Sequence, residues 1–387
     1  MPSPDGTRCF FSSDKKAAPR LSRRLFLGGV ASGVGAGLLA SGLTGHEAFA
    51  ENSLNDSLPP QAKLQTQLIV AGTPETPSGR WASLLTPTLE ENLQRPSPFT
   101  LSNALGWDGV TGANLFDAQQ QAPDAPTALM APGTVMLAAM MGDARVHYDY
   151  ERWLPVFMAC QPTVTIGHVS LHLSLGAFLS NRKTRIAVSN PAGPELPTLL
   201  AFDLLGLRPQ PISGYATPES AMDALYAGTV DAIQIPLDRE YDARIAALSK
   251  QGFVPLFVNT PTALPVSEPT LPPSFMTVLQ RERRKIALTP LASAWQALAT
   301  AVSIKAVLLL PLLTPPAAVA RWRHAAELSA AHPALINAAA ENRESMKTGP
   351  ACMALYNDTM PDVSLIMATR RWLTLNLPRW RDTTQPG

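Results

Sequence analysis

The sequence predicts an α/β protein with mostly parallel sheets covered by helices. Three observations carry this: apolar runs of strand length, a turn-rich loop after each run, and a helix-like segment after each loop. A chain of 387 residues exceeds one small core and divides into two lobes or domains.

The first 50 residues read as an export signal. Lys15, Lys16, Arg20, Arg23 and Arg24 make a basic start, Leu25 to Leu43 is apolar or small without charge, and Ala48-Phe49-Ala50 offers a small-x-small cleavage pattern. Ser22-Arg23-Arg24-Leu25-Phe26-Leu27 matches the twin-arginine pattern, so the twin-arginine translocase is the expected partner during export. Six glycines dilute the apolar stretch, which argues for cleavage near Ala50 over a retained membrane anchor. The destination is the periplasm, with a flexible mature N-terminus over 51–63.

The elements follow in order. Leu68 to Ala71 is a buried strand, Thr73 to Gly79 a Pro/Gly/Ser loop, and Arg80 to Leu93 an amphipathic helix. Thr127 to Ala131, the loop Pro132-Gly133-Thr134 and a helix from Val135 repeat the unit. Thr184 to Val188, the loop Ser189 to Pro194 and a helix through Leu205 repeat it again. A helix over Pro218 to Ala227 stops at Gly228 and leads into a strand over Val230 to Ile235. In open α/β sheets ligands sit where such loops meet helix N-termini.

Composition narrows the function. The net charge is +1 with both signs interspersed, which gives nucleic acid and anionic lipid no handle. Beyond the signal, the most apolar stretch, Ala306 to Leu313, is broken by Pro311 and too short to span a bilayer. The 37 prolines are roughly twice the average share and mark semi-rigid connections such as Pro261 to Pro273. After the signal only Cys160 and Cys352 remain, either as a disulfide or as two buried free thiols.

Several segments resemble the periplasmic receptors of tripartite tricarboxylate transporters, the Bug family. Arg80 to Leu89 (RWASLLTPTL) is similar to the helix after that family's first glycine-rich loop. Asn103 to Ala113 (NALGWDGVTGA) resembles its N-x-P-G-x-G-G-x-x-G-A segment through Asn103, Gly106, Gly109, Gly112 and Ala113. Ala122-Pro123-Asp124, Tyr150 to Val156 (YERWLPV), Tyr215 with Ala221 to Asp231 (AMDALYAGTVD), and Pro315 to Arg321 (PPAAVAR) follow in the family's order. The resemblance implies a two-lobed type 2 periplasmic-binding-protein fold, with lobe one over 64–159 and 256–387 and lobe two over 160–255. It implies a receptor that captures a small organic anion, a carboxylate, between lobes hinged near Phe157 to Pro162 and Val254 to Val258. The closed form would be presented to membrane permease subunits, with no cofactor and no chemistry on the ligand.

The sequence departs from the family in two loops. Ser78 and Gly79 stand where the first loop has Thr-Asp, and Ser189 to Glu195 supplies no match for the family's His. Proline at 132, 191 and 194 removes backbone donors. The candidate ligand-binding residues are Thr76, Ser78 and Gly79 from the first loop, Gly133 and Thr134 from the second, and Ser189, Asn190 and Gly193 from the third. Tyr215 is expected to close over the ligand's apolar body.

Two other classes compete. An exported metal-dependent enzyme would need a ligand set, for which His168, His172 and His147 are candidates; the alternation of Val169, Leu171, Leu173 and Leu175 around them reads instead as an ordinary core strand. No hydrolase, P-loop or zinc-protease motif occurs after the signal. A receptor fold without ligand, acting as a sensory or assembly partner, would display an aromatic-basic C-terminal surface from Arg370, Arg371, Trp372, Arg379 and Trp380; such Trp residues more often pack a terminal helix onto its domain.

Overall fold

The computed structural model describes residues 67–95, 98–119, 127–171, 183–265 and 269–381, all within one compact unit, Pro59–Gly387. The signal and mature N-terminus, Ala122-Pro123-Asp124 and His172 lie outside the described residues.

The strands in chain order are β1 (Gln67–Ala71), β2 (Thr100–Ala104), β3 (Ala128–Ala131), β4 (Trp153–Cys160), β5 (Thr163–His168), β6 (Lys183–Val188), β7 (Arg208–Ser213), β8 (Ala232–Pro236), β9 (Phe253–Asn259), β10 (Ile304–Pro311) and β11 (Ser345–Thr348). The helices are α1 (Pro77–Asn92), α2 (Val110–Ala118), α3 (Thr134–Met141), α4 (Leu196–Leu204), α5 (Pro218–Tyr226), α6 (Tyr241–Ser249), α7 (Phe275–Glu282), α8 (Pro290–Ser303), α9 (Pro316–Ala330), α10 (Pro333–Glu341), α11 (Gly349–Asn357) and α12 (Val363–Arg381).

The first sheet has the order β11-β4-β10-β3-β1-β2 and the second β7-β6-β8-β5-β9. Their pairings make β1, β2, β3 and β4 run one way with β10 and β11 opposed. In the second sheet only β5 opposes its neighbours. Both sheets are therefore mixed but mostly of one direction, and their parallel halves are the run-loop-helix units of the sequence. This is an α/β fold of two lobes, one per sheet. The chain crosses between Cys160 and Thr163; β9 pairs with β5 through Asn259, so it re-enters the first sheet only at β10.

Local chemistry explains several motifs. Gly106 and Gly109 turn the chain from β2 into α2 at φ 140° and 78°, left-handed values that favour glycine. Gly112 lets α2 lie on β1, since a Cβ there would stand 2.7 Å from the Ala71 Cα. Asp231 forks onto Arg185, accepting from its Nε at 3.1 Å and its Nη2 at 2.9 Å, and accepts its backbone N–H at 2.9 Å, which ties the approach to β8 onto β6. Tyr150 donates its hydroxyl to the Thr359 carbonyl, and Tyr356 donates to the Tyr150 carbonyl, docking α11 beneath β4.

The lobes share apolar packing. One continuous buried cluster contains Ile69 and Leu129 of the first sheet and Ile186, Val188 and Phe257 of the second. It is joined through α4, whose residues from Leu196 to Phe202 are all buried, as expected of a helix that is apolar on every side. Trp295 of α8 donates its indole N–H to the Pro197 carbonyl at 2.9 Å and stacks on Phe275 with ring centroids 4.5 Å apart.

Helix α12 also reaches both lobes. Arg370 donates to the Met140 and Ala139 carbonyls at the end of α3, at 2.7 and 2.9 Å, where the helix dipole favours a cation. Trp372 donates to the Asp203 carboxylate at 2.7 Å, and Trp380 to the Pro209 carbonyl at 2.8 Å. The two tryptophans thus pack the terminal helix instead of forming a free aromatic face.

Cys160 and Cys352 are free and buried, and burial pushes both thiols up, Cys352 to about 12. Among the described residues no helix is long and apolar enough to cross a membrane.

Candidate functional site

A cavity of about 680 Å³ opens between the lobes, within the range of small-molecule sites. The first lobe contributes the β2–α2 turn with Trp107, Asp108 and Thr111, and α3 with Thr134, Leu137 and Met141. The second contributes the β6–α4 loop from Ser189 to Glu195, together with Ala216. Leu373 of α12 adds an apolar patch.

Of the residues the sequence nominated, Thr134, Ser189, Asn190 and Gly193 line this cavity; Thr76, Ser78, Gly79, Gly133 and Tyr215 are not on its wall. The first-loop group has its hydroxyls committed to backbone carbonyls of the loop and of the end of β1. Thr76 donates its hydroxyl to the Thr73 carbonyl at 2.6 Å and accepts the Gly79 N–H at 3.2 Å, capping α1. Ser78, fully buried, donates to the Ala71 carbonyl at 2.9 Å. Gly133 donates its N–H to the Ile304 carbonyl at 2.9 Å and packs against the end of α8. Tyr215 packs its ring on the second lobe's own core and donates its N–H to the Val188 carbonyl. A measurement separates these roles: Ser78→Ala is expected to lower stability by about 1 kcal/mol through the lost hydrogen bond, read by urea unfolding, and to leave affinity for any cleft ligand unchanged.

The polar lining is acidic. Arg145 bridges Asp108 and Asp143, each at 2.6 Å, so its charge is spent; this pairing raises the guanidinium's pKa and lowers that of Asp143. Thr134 donates its hydroxyl to the Asp108 carbonyl at 2.9 Å and fixes the turn against α3. Glu195 accepts the Ser189 N–H at 3.1 Å and the Ser189 hydroxyl at 2.8 Å, both on Oε2. Burial pushes the Glu195 carboxyl above its ordinary range, while the two Ser189 donors pull the other way.

A buried polar network holds this loop from beneath. Thr165 and Thr198 pair their hydroxyls at 3.1 Å, Asn259 donates to both, and Thr198 donates to Gln234 at 2.6 Å. Gln234 in turn donates to the Pro194 carbonyl at 3.1 Å. The residue that carries the acidic carboxylate is therefore placed by side chains of β5, β8, β9 and α4.

Sequence reasoning missed Trp107, Asp108, Leu137, Met141, Arg145, Glu195 and Leu373. Trp107 had a signal: it sits between two glycines in NALGWDGVTGA and is 90% exposed at the cleft. Glu195 also had one, as a single carboxylate ahead of a mostly apolar, buried helix. The histidines are not gathered. His147 donates its backbone N–H to Asn114, and His168 meets Phe253 edge-on at 5.7 Å. The expected strand after His168 gives way to a short 3₁₀ turn over Val169–Leu171, after a last backbone bond from the Val169 N–H to the Gly252 carbonyl. Among the described residues, no three His, Cys, Asp or Glu side chains are placed to hold a metal ion.

No known family model matches the sequence, and no curated protein is detectably similar to it. Solved structures are. A TctC solute-binding protein from Polaromonas, without ligand, superposes with a TM-score of 0.56 at 14% identity, over 81% of this chain and 98% of the other. The periplasmic binding protein BugD gives 0.48 at 14% identity over 81% and 97%, and MatC from Rhodopseudomonas palustris, solved with bound malate, gives 0.46 at 17% identity over 83% and 99%. The likeness to the Polaromonas protein is one of architecture, and this chain has the two-lobed α/β fold of that solute-binding protein.

Proposed function

We propose that the chain is a periplasmic solute-binding receptor that takes a small organic acid into the cleft between its lobes and presents the occupied form to the permease subunits of a tripartite tricarboxylate-type transporter. The observation that carries this is the cavity of about 680 Å³ walled by both lobes. The fold shared with a solute-binding protein and the order of motifs along the chain agree with it. The lobe limits that go with this reading follow the strands, the second lobe entering at β5 and ending with β9. A carboxylate in this cleft has neutral donors to rest on: the Thr111 hydroxyl, the Asn190 amide and the indole N–H of Trp107. No step of bond making or breaking is required of the protein.

The test is a thermal-shift screen of residues 51–387 against mono-, di- and tricarboxylates and α-amino acids, followed by calorimetry of the hits. A ligand held only by the folded state at 100 times its Kd stabilises by about 2.7 kcal/mol, an upward shift in Tm of several degrees. Ala216→Trp, at an exposed position on the cleft wall, is expected to fill the cleft and abolish the shift without unfolding the protein. Absence of any shift across the screen, or a shift that survives the filled cleft, overturns the proposal.

A further inference from the structure

We propose that the ligand carries an ammonium group beside its carboxylate, and that Glu195 is the specificity-determining residue that selects it. The inference rests on the receptor reading and deepens it: the solute is a small amino acid with an uncharged, apolar side chain.

Three carboxylates, Asp108, Asp143 and Glu195, face the cavity against one cation, Arg145, which is already paired with the first two. Glu195 is left without a contacting cation; Lys305 acts on it only through its longer-range field. Both Ser189 donors converge on Oε2, and with the Glu195 backbone N–H they are neutral partners, so the carboxylate's charge is met by no cation in contact with it. A partly buried carboxylate held by neutral donors alone is costly unless something of opposite charge completes it. A ligand ammonium supplies that partner, with charge-assisted hydrogen bonds that an anion cannot make.

The rest of the wall fits the remainder of such a molecule. Leu137, Met141 and Leu373 form an apolar face opposite Ala192 and Ala216, and the exposed Trp107 stands at the same cleft. A second carboxylate on the ligand, as in a dicarboxylate, would meet the acidic lining with no free cation to receive it.

The experiment uses residues 51–387 and a matched set of probes: leucine, its deaminated counterpart 4-methylpentanoate, its decarboxylated counterpart 3-methylbutylamine, and succinate. Calorimetry is expected to rank leucine first, with 4-methylpentanoate at least tenfold weaker and succinate weaker still. Glu195→Gln is expected to cost leucine at least tenfold in affinity and to leave 4-methylpentanoate unchanged or tighter, which abolishes the discrimination. Glu195→Asp, which keeps the charge on a shorter arm, recovers part of the loss, and unchanged thermal unfolding of both unliganded variants excludes misfolding as the cause. If 4-methylpentanoate or succinate binds the wild type as tightly as leucine, the ammonium inference is overturned while the receptor reading stands. If leucine binds equally well to wild type and Glu195→Gln, Glu195 is not the selector. If nothing in this set or in the carboxylate screen binds, the receptor reading falls and takes this inference with it.

Discussion

Gly133→Ala is expected to be the most damaging single substitution among the described residues near the cleft. A Cβ at this position would stand 1.9 Å from the Ala301 carbonyl oxygen and 2.8 Å from the Ile304 Cβ. The obstacle is backbone, not a side chain that can rotate away. Gly133 has φ −68° and ψ −11°, ordinary values for alanine, so the effect is one of space alone. Relief requires α3 to move off α8, which also breaks the Gly133 N–H bond to Ile304. Overpacking against a fixed backbone costs about 3 kcal/mol or more, a drop in Tm of about 4 °C or more for a chain of this size. Unfolding monitored by circular dichroism would check it, and a Tm within 2 °C of wild type, in units of that same measurement, would refute the packing described.

The second large effect is expected at Glu344. Its carboxylate accepts from the Arg80 guanidinium at 2.5 Å and from the Trp81 indole at 2.8 Å, and its side chain is only 2% exposed. Glu344→Ala strands a buried indole N–H and a guanidinium. Removing one partner of a buried pair costs about 3–5 kcal/mol. Arg80 is one-third exposed and can turn to water, so the lower end, about 3 kcal/mol, is expected. Glu344→Gln keeps an acceptor for Trp81 and should lose about half as much. Urea denaturation of both variants settles the order, and equal losses would mean that the neutral acceptor kept by Gln contributes nothing once the charge is gone.

The regular elements were legible where a buried strand, a turn-rich loop and a helix follow one another, because strand burial and helix periodicity leave separate marks. β1, α1, β3, α3, β6, α4, α5 and β8 all fall where those marks stand. β7 was not legible: Pro209 and Pro211 argue against a strand, yet β7 is an edge strand of its sheet, where missing donors are tolerated. β9 was read as a return crossing because an apolar strand looks the same in either lobe; only its pairing with β5 assigns it. The site was half legible. Ser, Thr and Gly in loops mark both ligand cradles and turn chemistry, and sequence alone does not say which hydroxyl has spent its proton on a nearby carbonyl. Thr76 spends its proton on the Thr73 carbonyl, Ser78 on the Ala71 carbonyl and Thr134 on the Asp108 carbonyl, and of the three only Thr134 stands on the cleft wall. The acidic wall was missed because Asp108, Asp143 and Glu195 belong to three separate loops and become neighbours only on folding.

Helix α12 sets a mechanical condition on whatever the cleft does. It grips the first lobe through Arg370 and the second through Trp372 and Trp380, so it spans the gap like a tie rod. A wide swing of one lobe away from the other must either snap these bonds or drag the rod along with one partner. Motion that keeps them intact is limited to the small travel that side-chain rotation allows, so a guest that leaves the rod in place can draw the lobes together only by that travel.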